Sequence, residues 1–254
     1  MTPTTAPRQP GIQAIARAGR VLRALEAAPA GLALGELAER VELPKSTVHR
    51  LVGALAREEL TASAPDGRIV LGGAVGRMAA AGQATLPARL RPILEELSRE
   101  TGDTVDLAVL DGTSVRFVDQ LPGPQRLRAV SAVGAEFPLH CTANGKALLA
   151  ALGPAEARAL LPARLRRCTA ATITSRAALL EELATVAREG VAYDREEHSE
   201  GICAVGAAVL DASGRPVAAL SVPAPSTRFA GSEARYAQAV RAAAQSASAA
   251  LGAG

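Results

Sequence analysis

The residues best suited to chemistry fall in three places, and the first is PKSTVHR at 44–50. With Val48, Leu51, Val52 and Leu55 turned inward at helical spacing, Lys45, Ser46, Thr47, His49 and Arg50 occupy the exposed start of a helix. A helix start of that kind can enter the major groove of a DNA duplex and reach base edges. Ser46 and Thr47 can donate to phosphates or bases, and Arg50 can make two bonds to a guanine edge. A solvated helix start with ordinary capping residues is the other reading of the same letters.

The second place is CTANGKALL, which opens a helix after a strand-like run, with Thr142 as its N-cap. The backbone N–H groups of Ala143, Asn144 and Gly145 are then unpaired and point outward. Together with the helix dipole they suit a carboxylate or a phosphate, and the small side chains let a ligand approach. Capping by water alone is the alternative.

The third place is a pair of pairs, His140-Cys141 and His198 with Cys203. They can be assembled on paper into a Cys–His dyad or a zinc site. Zinc takes three or four ligands, and catalytic cysteines show no transferable spacing. Structural burial is the preferred reading of both pairs. GxSxG, HExxH, GxGxxG and Walker A patterns are all absent from the sequence. No catalytic residue, metal or cofactor is expected, and the chain is not expected to be an enzyme.

The elements around these residues follow from spacing. Ile12, Ile15, Val21, Leu22 and Leu25 mark a first helix, ended by Pro29 and Gly31. Leu34, Leu37, Ala38 and Val41 are the buried stripe of a second. VELP turns into the third, with Pro44 suited to its first position. Two short extended runs around Asp66-Gly67 read as a hairpin. Helix, helix, turn, helix, hairpin is the order of a winged helix-turn-helix, and Arg68 in the wing is placed for a phosphate or minor-groove contact.

Charge divides at the same place. Residues 1–82 carry ten Lys and Arg against seven acids, and the rest of the chain carries eighteen of each, so the whole net charge of +3 lies in the first third. Of the 48% hydrophobic residues, the 57 alanines supply almost half, and only three Phe and two Tyr are present. A core built mainly from aliphatic contacts and helices is the consequence. No run is long and apolar enough for a membrane span, and the start MTPTTAPRQP has no signal core, so no membrane and a cytoplasmic place are expected. Three cysteines without a CxxC give no disulfide framework.

The neutral remainder alternates helices and hairpins. Val75, Met78 and Ala79 suggest a linker helix, and Leu90, Ile93, Leu94 and Leu97 a further one ending at Gly102. TVDLAVL and TSVRFVDQL pair around Asp111-Gly112, and RLRAVSAVGAEFPLH adds a strand or two. SRAALLEELATVAREG is a helix, AVGAAVLDASGRPVAALSVP a second hairpin, and SEARYAQAVRAAAQSASAAL a last helix. This is an α+β domain around a mainly antiparallel sheet.

The segments RAGRVLRALE, LALGELAERVELPKSTVHRLVGALARE and DGRIVLGGAVGRMA resemble the N-terminal module of the IclR family of bacterial transcription regulators. TVDLAVLDG, VGAEFPLHCTANGKALLA, TITSRAALLEELATVAREGVAYDREEHSEGI and GRPVAALSVPAPSTR resemble the same family's effector-binding domain. The resemblance implies a GAF-like sensor domain that binds a small molecule, often a carboxylate, beside its sheet. It also implies a double-stranded DNA operator as partner, and a homodimer or homotetramer. The organisation expected is a flexible tail at 1–11, a winged helix-turn-helix at 12–72, a linker helix at 73–83 and the effector domain at 84–254.

Carried over from the family, the carboxylate-cradling amides fall at Ala143 and Asn144 and the pocket acid at Asp194. The apolar wall falls at Leu127, Ala129, Phe137 and Ile202, and a serine on the last strand at Ser221. Two positions depart from the family. Many members have cysteine where this chain has Ala204, and Cys203, one position earlier, faces the opposite side of a strand. Pro223 replaces a second serine. The expected pocket is thus less polar than that of small-acid sensors and suits a ligand with an apolar portion. The function expected is a repressor or activator whose operator affinity follows a bound effector. The alternatives are a DNA-bound scaffold that senses nothing and, more remotely, a hydrolase.

Overall fold

Helix α1 (Pro10–Glu26) opens a computed structural model that describes residues 10–129 and 131–252. Residues 1–9 of the expected tail lie outside the described residues, and Pro10 and Gly11 already belong to α1. Close contacts divide the chain into two units at Thr85–Leu86.

In the first unit, α1, α2 (Leu34–Arg40) and α3 (Lys45–Arg57) enclose Val21, Leu25, Leu37, Val41, Val48 and Leu55. Ile15, expected on the buried stripe of α1, is 74% exposed instead. Full burial on this helix starts only at Val21, so its first turns extend past the core. Between α2 and α3 the chain reverses at Glu42, whose φ is 52°. Pro44 is the N-cap of α3 rather than its first residue, and its carbonyl accepts the N–H groups of Thr47 and Val48 at 2.9 and 3.0 Å. The wing is the hairpin β1 (Thr61–Ser63) and β2 (Ile69–Leu71), turned at Asp66 and Gly67, with Ser63 opposite Ile69.

The expected linker helix and the amphipathic helix after it are one element, α4 (Gly73–Thr101). It continues through Pro87 and Pro92, each of which removes one backbone donor from the helical ladder. No helix among the described residues is long and apolar enough to cross a membrane.

The second unit is built on β3 (Val105–Asp111), β4 (Ser114–Leu121), β5 (Glu136–Pro138), β6 (Ala192–Arg195), β7 (Ile202–Leu210) and β8 (Pro216–Pro225). They form one antiparallel sheet in the order β5-β4-β3-β8-β7-β6. Alternation along the strands gives it two apolar faces. Val105, Leu107 and Val109 share one face with Val205, Ala207, Leu220 and Val222. Leu90, Leu94 and Leu97 of α4 cover that face together with Val240, Ala244 and Ala247 of α9 (Glu233–Gly252). The alanines of α9 have a role in this layer: small side chains let a helix approach a sheet closely.

The other face carries Ala108, Phe117 and Ala219 and is covered by α5 (Ala143–Leu152) and α7 (Arg176–Glu189). A short helix α6 (Pro154–Leu160), not expected from the sequence, starts at Gly153-Pro154, and α8 (Ser226–Phe229) follows β8. RLRAVSAVGAEFPLH supplies only the three residues of β5 as strand. With α+β layering and an antiparallel sheet, the architecture is the expected one.

Candidate functional site

At the start of α3, Lys45, Ser46, His49 and Arg50 are exposed and Thr47 is half-buried, while Val48 is fully buried. Among the described residues, none of those five polar side chains has a hydrogen bond or an ion pair. The helix thus offers most of its polar start outward. Arg68 differs from them. Its Nη1 donates to the Gly31 carbonyl at 3.0 Å and to Glu36 Oε2 at 3.1 Å, which ties the wing to α2.

In the second unit a cavity of about 300 Å³ lies between the sheet and the start of α5. Strand register sets its floor. Asp106 of β3 is opposite Ser221 of β8, and Ser221 is opposite Gly206 of β7. Ala204 of β7 is opposite both Pro223 of β8 and Asp194 of β6. At about 4.8 Å between neighbouring strands, Asp106 and Asp194 stand three strand spacings, about 14 Å, apart across the sheet, in rows offset by two residues along the strands.

Two glycines let the start of α5 pack closely, Gly206 against the floor and Gly145 against the turn before the helix. A Cβ on Gly206 would lie 3.0 Å from the Ala143 carbonyl carbon, and one on Gly145 would lie 2.3 Å from the Leu139 oxygen. Only glycine lets the backbone pass so closely. Thr142 caps the helix: its Oγ1 accepts the Gly145 N–H at 3.2 Å and donates to the Pro138 carbonyl at 3.0 Å. Its carbonyl accepts the Lys146 N–H at 2.9 Å. The first helical donors without a partner inside the helix are therefore Ala143 and Asn144, both of which line the cavity.

Aromatic rings form one wall. Phe117 meets Phe137 edge-on, with centroids 5.0 Å apart, and His198 stacks on Phe137 at 4.1 Å. Burial, then the charges of Arg166 and His140, push the His198 pKa down, which disfavours its charged form. Both carboxyls of the floor are shifted the other way. Burial lifts Asp106 to about 7, against hydrogen bonds from Gln120 Nε2 at 2.7 Å and Ser131 Oγ at 2.8 Å. Burial likewise lifts Asp194 to about 7, although its Oδ1 accepts the N–H groups of Glu197 and His198 at 2.8 and 3.3 Å. Behind Asp194, Lys146 has no exposed surface, and its Nζ donates to Glu182 Oε1 and Glu197 Oε1, both at 2.5 Å.

Of the residues expected to hold an effector, Ala129, Phe137, Ala143, Asn144, Asp194, Ile202, Ala204 and Ser221 line this one cavity. Leu127 does not. Its side chain is 69% exposed, and its carbonyl is held by Arg228 Nη2 at 3.0 Å, which points the residue away while Arg128 and Ala129 turn inward. Cys203 packs in the core on the opposite face of the sheet, as alternation requires, while Pro223 and Ala204 both face the cavity.

Asp106, Phe117, Arg128, Ser131, Thr142, His198 and Ser199 also line it and were not anticipated as lining. For Asp106 a signal existed. It is an acid on the same face as Ala108, inside the apolar run VDLAVL, and an unpaired charge seldom sits there without a reason.

The two His/Cys pairs go to separate neighbours. His140 Nε2 is 2.8 Å from the Arg166 carbonyl, His198 Nδ1 is 2.9 Å from Ser199 Oγ, and Cys141 Sγ is 3.8 Å from Cys168 Sγ. Among the described residues, no group of three or more His, Cys, Asp or Glu is placed to hold a metal.

Comparison with known proteins gives a consistent picture. Residues 14–63 match the IclR helix-turn-helix domain, and residues 78–249 match the bacterial transcriptional regulator IclR C-terminal domain. The chain is 53% identical over 234 residues to the HTH-type transcriptional regulator Rv1719 of Mycobacterium tuberculosis, covering 92% of this chain and 90% of that one. It is 32% identical to the transcriptional repressor IclR of Escherichia coli, over 89% and 84% of the two chains. Among solved structures, an IclR homologue from Microbacterium hydrocarbonoxydans complexed with 4-hydroxybenzoate has the same fold. The TM-score is 0.61 at 24% identity, over 94% of this chain and 98% of that one.

Proposed function

The chain belongs to the IclR family of bacterial transcriptional regulators, and on that premise we propose how its parts divide the work. It is a DNA-binding transcriptional regulator. We assign operator binding to residues 12–72, transmission to the linker at 73–83 within α4, and effector binding to residues 84–254. Lys45, Ser46, Thr47, His49 and Arg50 read the operator from the start of α3. Arg68 anchors the wing and lends its charge to the phosphate backbone.

The cavity under α5 is the effector site, and it favours a sensor over a scaffold that binds nothing. The observation that carries this reading is the convergence on one cavity of unpaired helix-start donors, Ser221 and an aromatic wall. A carboxylate fits the Ala143 and Asn144 amides, where the helix dipole favours negative charge. An apolar or aromatic body fits against Phe117 and Phe137. The 4-hydroxybenzoate held by the Microbacterium homologue has both features.

The protein acts without chemistry of its own, as a homodimer or homotetramer in the cytoplasm, where its DNA is. Exposed Ile15 and Met78, 74% and 63% accessible, are apolar surface that a second copy would cover. An effector changes operator affinity only if it binds one arrangement of the DNA-binding units better than another.

The test is a thermal-shift screen of aliphatic and aromatic carboxylates, followed by operator titrations at fixed salt. A ligand that raises the melting temperature and changes operator affinity supports the reading. A broad panel that does neither overturns it.

A further inference from the structure

Arg228 of α8 holds two segments at once. Its Nε donates to both oxygens of Asp103 at 3.0 Å, and its Nη2 donates to Asp103 Oδ1 at 2.5 Å and to the Leu127 carbonyl at 3.0 Å. Asp103 is 1% exposed and also accepts the Tyr236 hydroxyl from α9. It follows directly on the end of α4, where Arg235 Nη1 and Nη2 donate to the carbonyls of Glu100 and Thr101 at 2.7 and 3.0 Å. The end of α4 is thus pinned through a buried carboxylate and by two arginines.

Leu127 belongs to the stretch between β4 and β5, which lines one side of the cavity through Arg128, Ala129 and Ser131. The start of that stretch is fixed. Gly123 is buried, a Cβ there would lie 2.7 Å from the Asp103 carbonyl carbon, and its N–H donates to Thr104 Oγ1 at 3.1 Å. Residues 124–128, by contrast, are all exposed. Among the described residues, the bond from Arg228 is the only hydrogen bond that ties those five to the rest of the unit. A segment with so few buried contacts is easily displaced, and its position follows its polar anchor. A ligand that presses on Arg128 or Ala129 bears on the Leu127 carbonyl beside them, and so on the guanidinium that grips the end of α4.

We propose that Arg228 is a positioning residue that joins the cavity to α4, so that occupancy of the cavity alters how firmly the last turn of α4 is held. The proposal rests on reading the cavity as the effector site. α4 begins at Gly73, within the first unit, so a change at its end acts on the helix that leads out of the DNA-binding elements. Arginine suits the task because its planar fork serves a carboxylate and a carbonyl together, whereas an ammonium is a point charge.

The experiment measures hydrogen exchange by mass spectrometry in the full-length protein, with and without a saturating carboxylate. Calorimetry first selects a binding probe from benzoate, 4-hydroxybenzoate, phenylacetate and hexanoate. In the natural sequence the bound probe is expected to slow exchange in 122–129 and to shift exchange in 97–104 by at least about fivefold, the scale of an ordinary coupling between sites. In Arg228→Lys, which keeps a cation for Asp103, the probe should still slow 122–129, while its effect on 97–104 falls below about twofold. A second variant, Asp103→Asn combined with Arg228→Gln, removes both charges together, leaves no buried ion unpaired and should behave alike.

An effect on 97–104 that persists in either variant overturns the proposal and leaves the effector-site reading standing. So does a natural sequence in which the bound probe alters 122–129 and not 97–104. Failure of all four probes to bind overturns the effector-site reading and the proposal with it. If Arg228→Lys does not fold, the double variant decides. A merely structural Arg228 would change basal exchange and the melting temperature, and would leave the response of 97–104 to the probe intact.

Discussion

Lys146 and Glu197 form an ion pair out of reach of water, with Nζ 2.5 Å from Oε1, and it ties α5 to the turn that follows β6. Glu182 shares the same ammonium, and Glu197 Oε2 is a buried oxygen without a hydrogen-bond partner. Removing one member of such a pair leaves the other charge buried and uncompensated. Lys146→Met is therefore expected to lower stability by about 3–5 kcal/mol in urea unfolding. The loss should shrink as pH falls, because Glu197, already shifted upward by burial, can then be neutralised by a proton. A loss independent of pH, or none, would contradict this account of the pair.

The two cavity carboxyls make stability depend on pH in the direction opposite to ordinary surface acids. Their folded values lie near 7, above the unfolded value of 3.8. A raised acid favours the folded state while protonated, so its contribution is complete below about 4 and is lost as pH rises through about 7. For Asp106 the loss amounts to at most about 4 kcal/mol at neutral pH. Asp106→Asn should therefore gain on the natural sequence as pH rises from 4 to 8 in chemical denaturation. A difference between the two that stays flat across that range would refute it.

The sequence made the helix-turn-helix legible because its signals are local. Val48 and Leu55 at helical spacing, Pro44 before Lys45 and Asp66-Gly67 in the wing each fix a short element without help from distant residues. Thr142 and Ser175 were readable as helix starts for the same reason, and both caps form. The fusion of the linker into α4 was hidden by Pro87 and Pro92, which argue locally for a break. Packing of Leu86, Leu90 and Leu94 on the sheet offsets the donors lost there.

The far half of the cavity was hidden for a different reason. Ser131 and Arg128 lie in a segment without regular structure, and only the folding of that segment over the sheet puts Ser131 against Asp106 and Arg128 on the cavity lining. Leu127 was misplaced by the same segment, since no period governs which side chains turn inward.

Arg50 and Arg68 should respond differently to truncation. Arg50 has no partner among the described residues, so Arg50→Ala is expected to leave the melting temperature nearly unchanged. It should weaken specific operator binding by about 1–3 kcal/mol at fixed salt, with relaxed preference at one base position. Arg68→Ala breaks the bonds to Gly31 and Glu36 and should cost stability in the first unit as well as affinity. Equal behaviour of the two variants in paired shift and melting assays would refute the division.

Cys141 and Cys168 are close enough to be joined. Their sulfurs lie 3.8 Å apart, Cys141 is buried just before the α5 cap, and Cys168 is partly accessible, with Arg166 Nη2 3.6 Å from its sulfur. Burial, then the neighbouring Cys168, pushes the Cys141 thiol up, so Cys168 is the sulfur an oxidant meets first. With hydrogen peroxide, Cys168 would become a sulfenic acid, one oxygen passing to sulfur. The Cys141 thiol would then displace water to form the disulfide, for a net conversion of two thiols and one peroxide to one disulfide and two waters. Mass spectrometry should find a loss of two hydrogens and a peptide linking these two cysteines, with Cys203 still reduced in its separate core. Closing the segment between them would stabilise the folded chain by up to about 3.5 kcal/mol, offset by any strain in reaching bonding distance. The oxidised protein should thus melt higher than the reduced one, and Cys168→Ser should abolish the difference. Recovery of Cys168 only as singly oxidised forms, with Cys141 untouched, would show that the two sulfurs do not meet in solution.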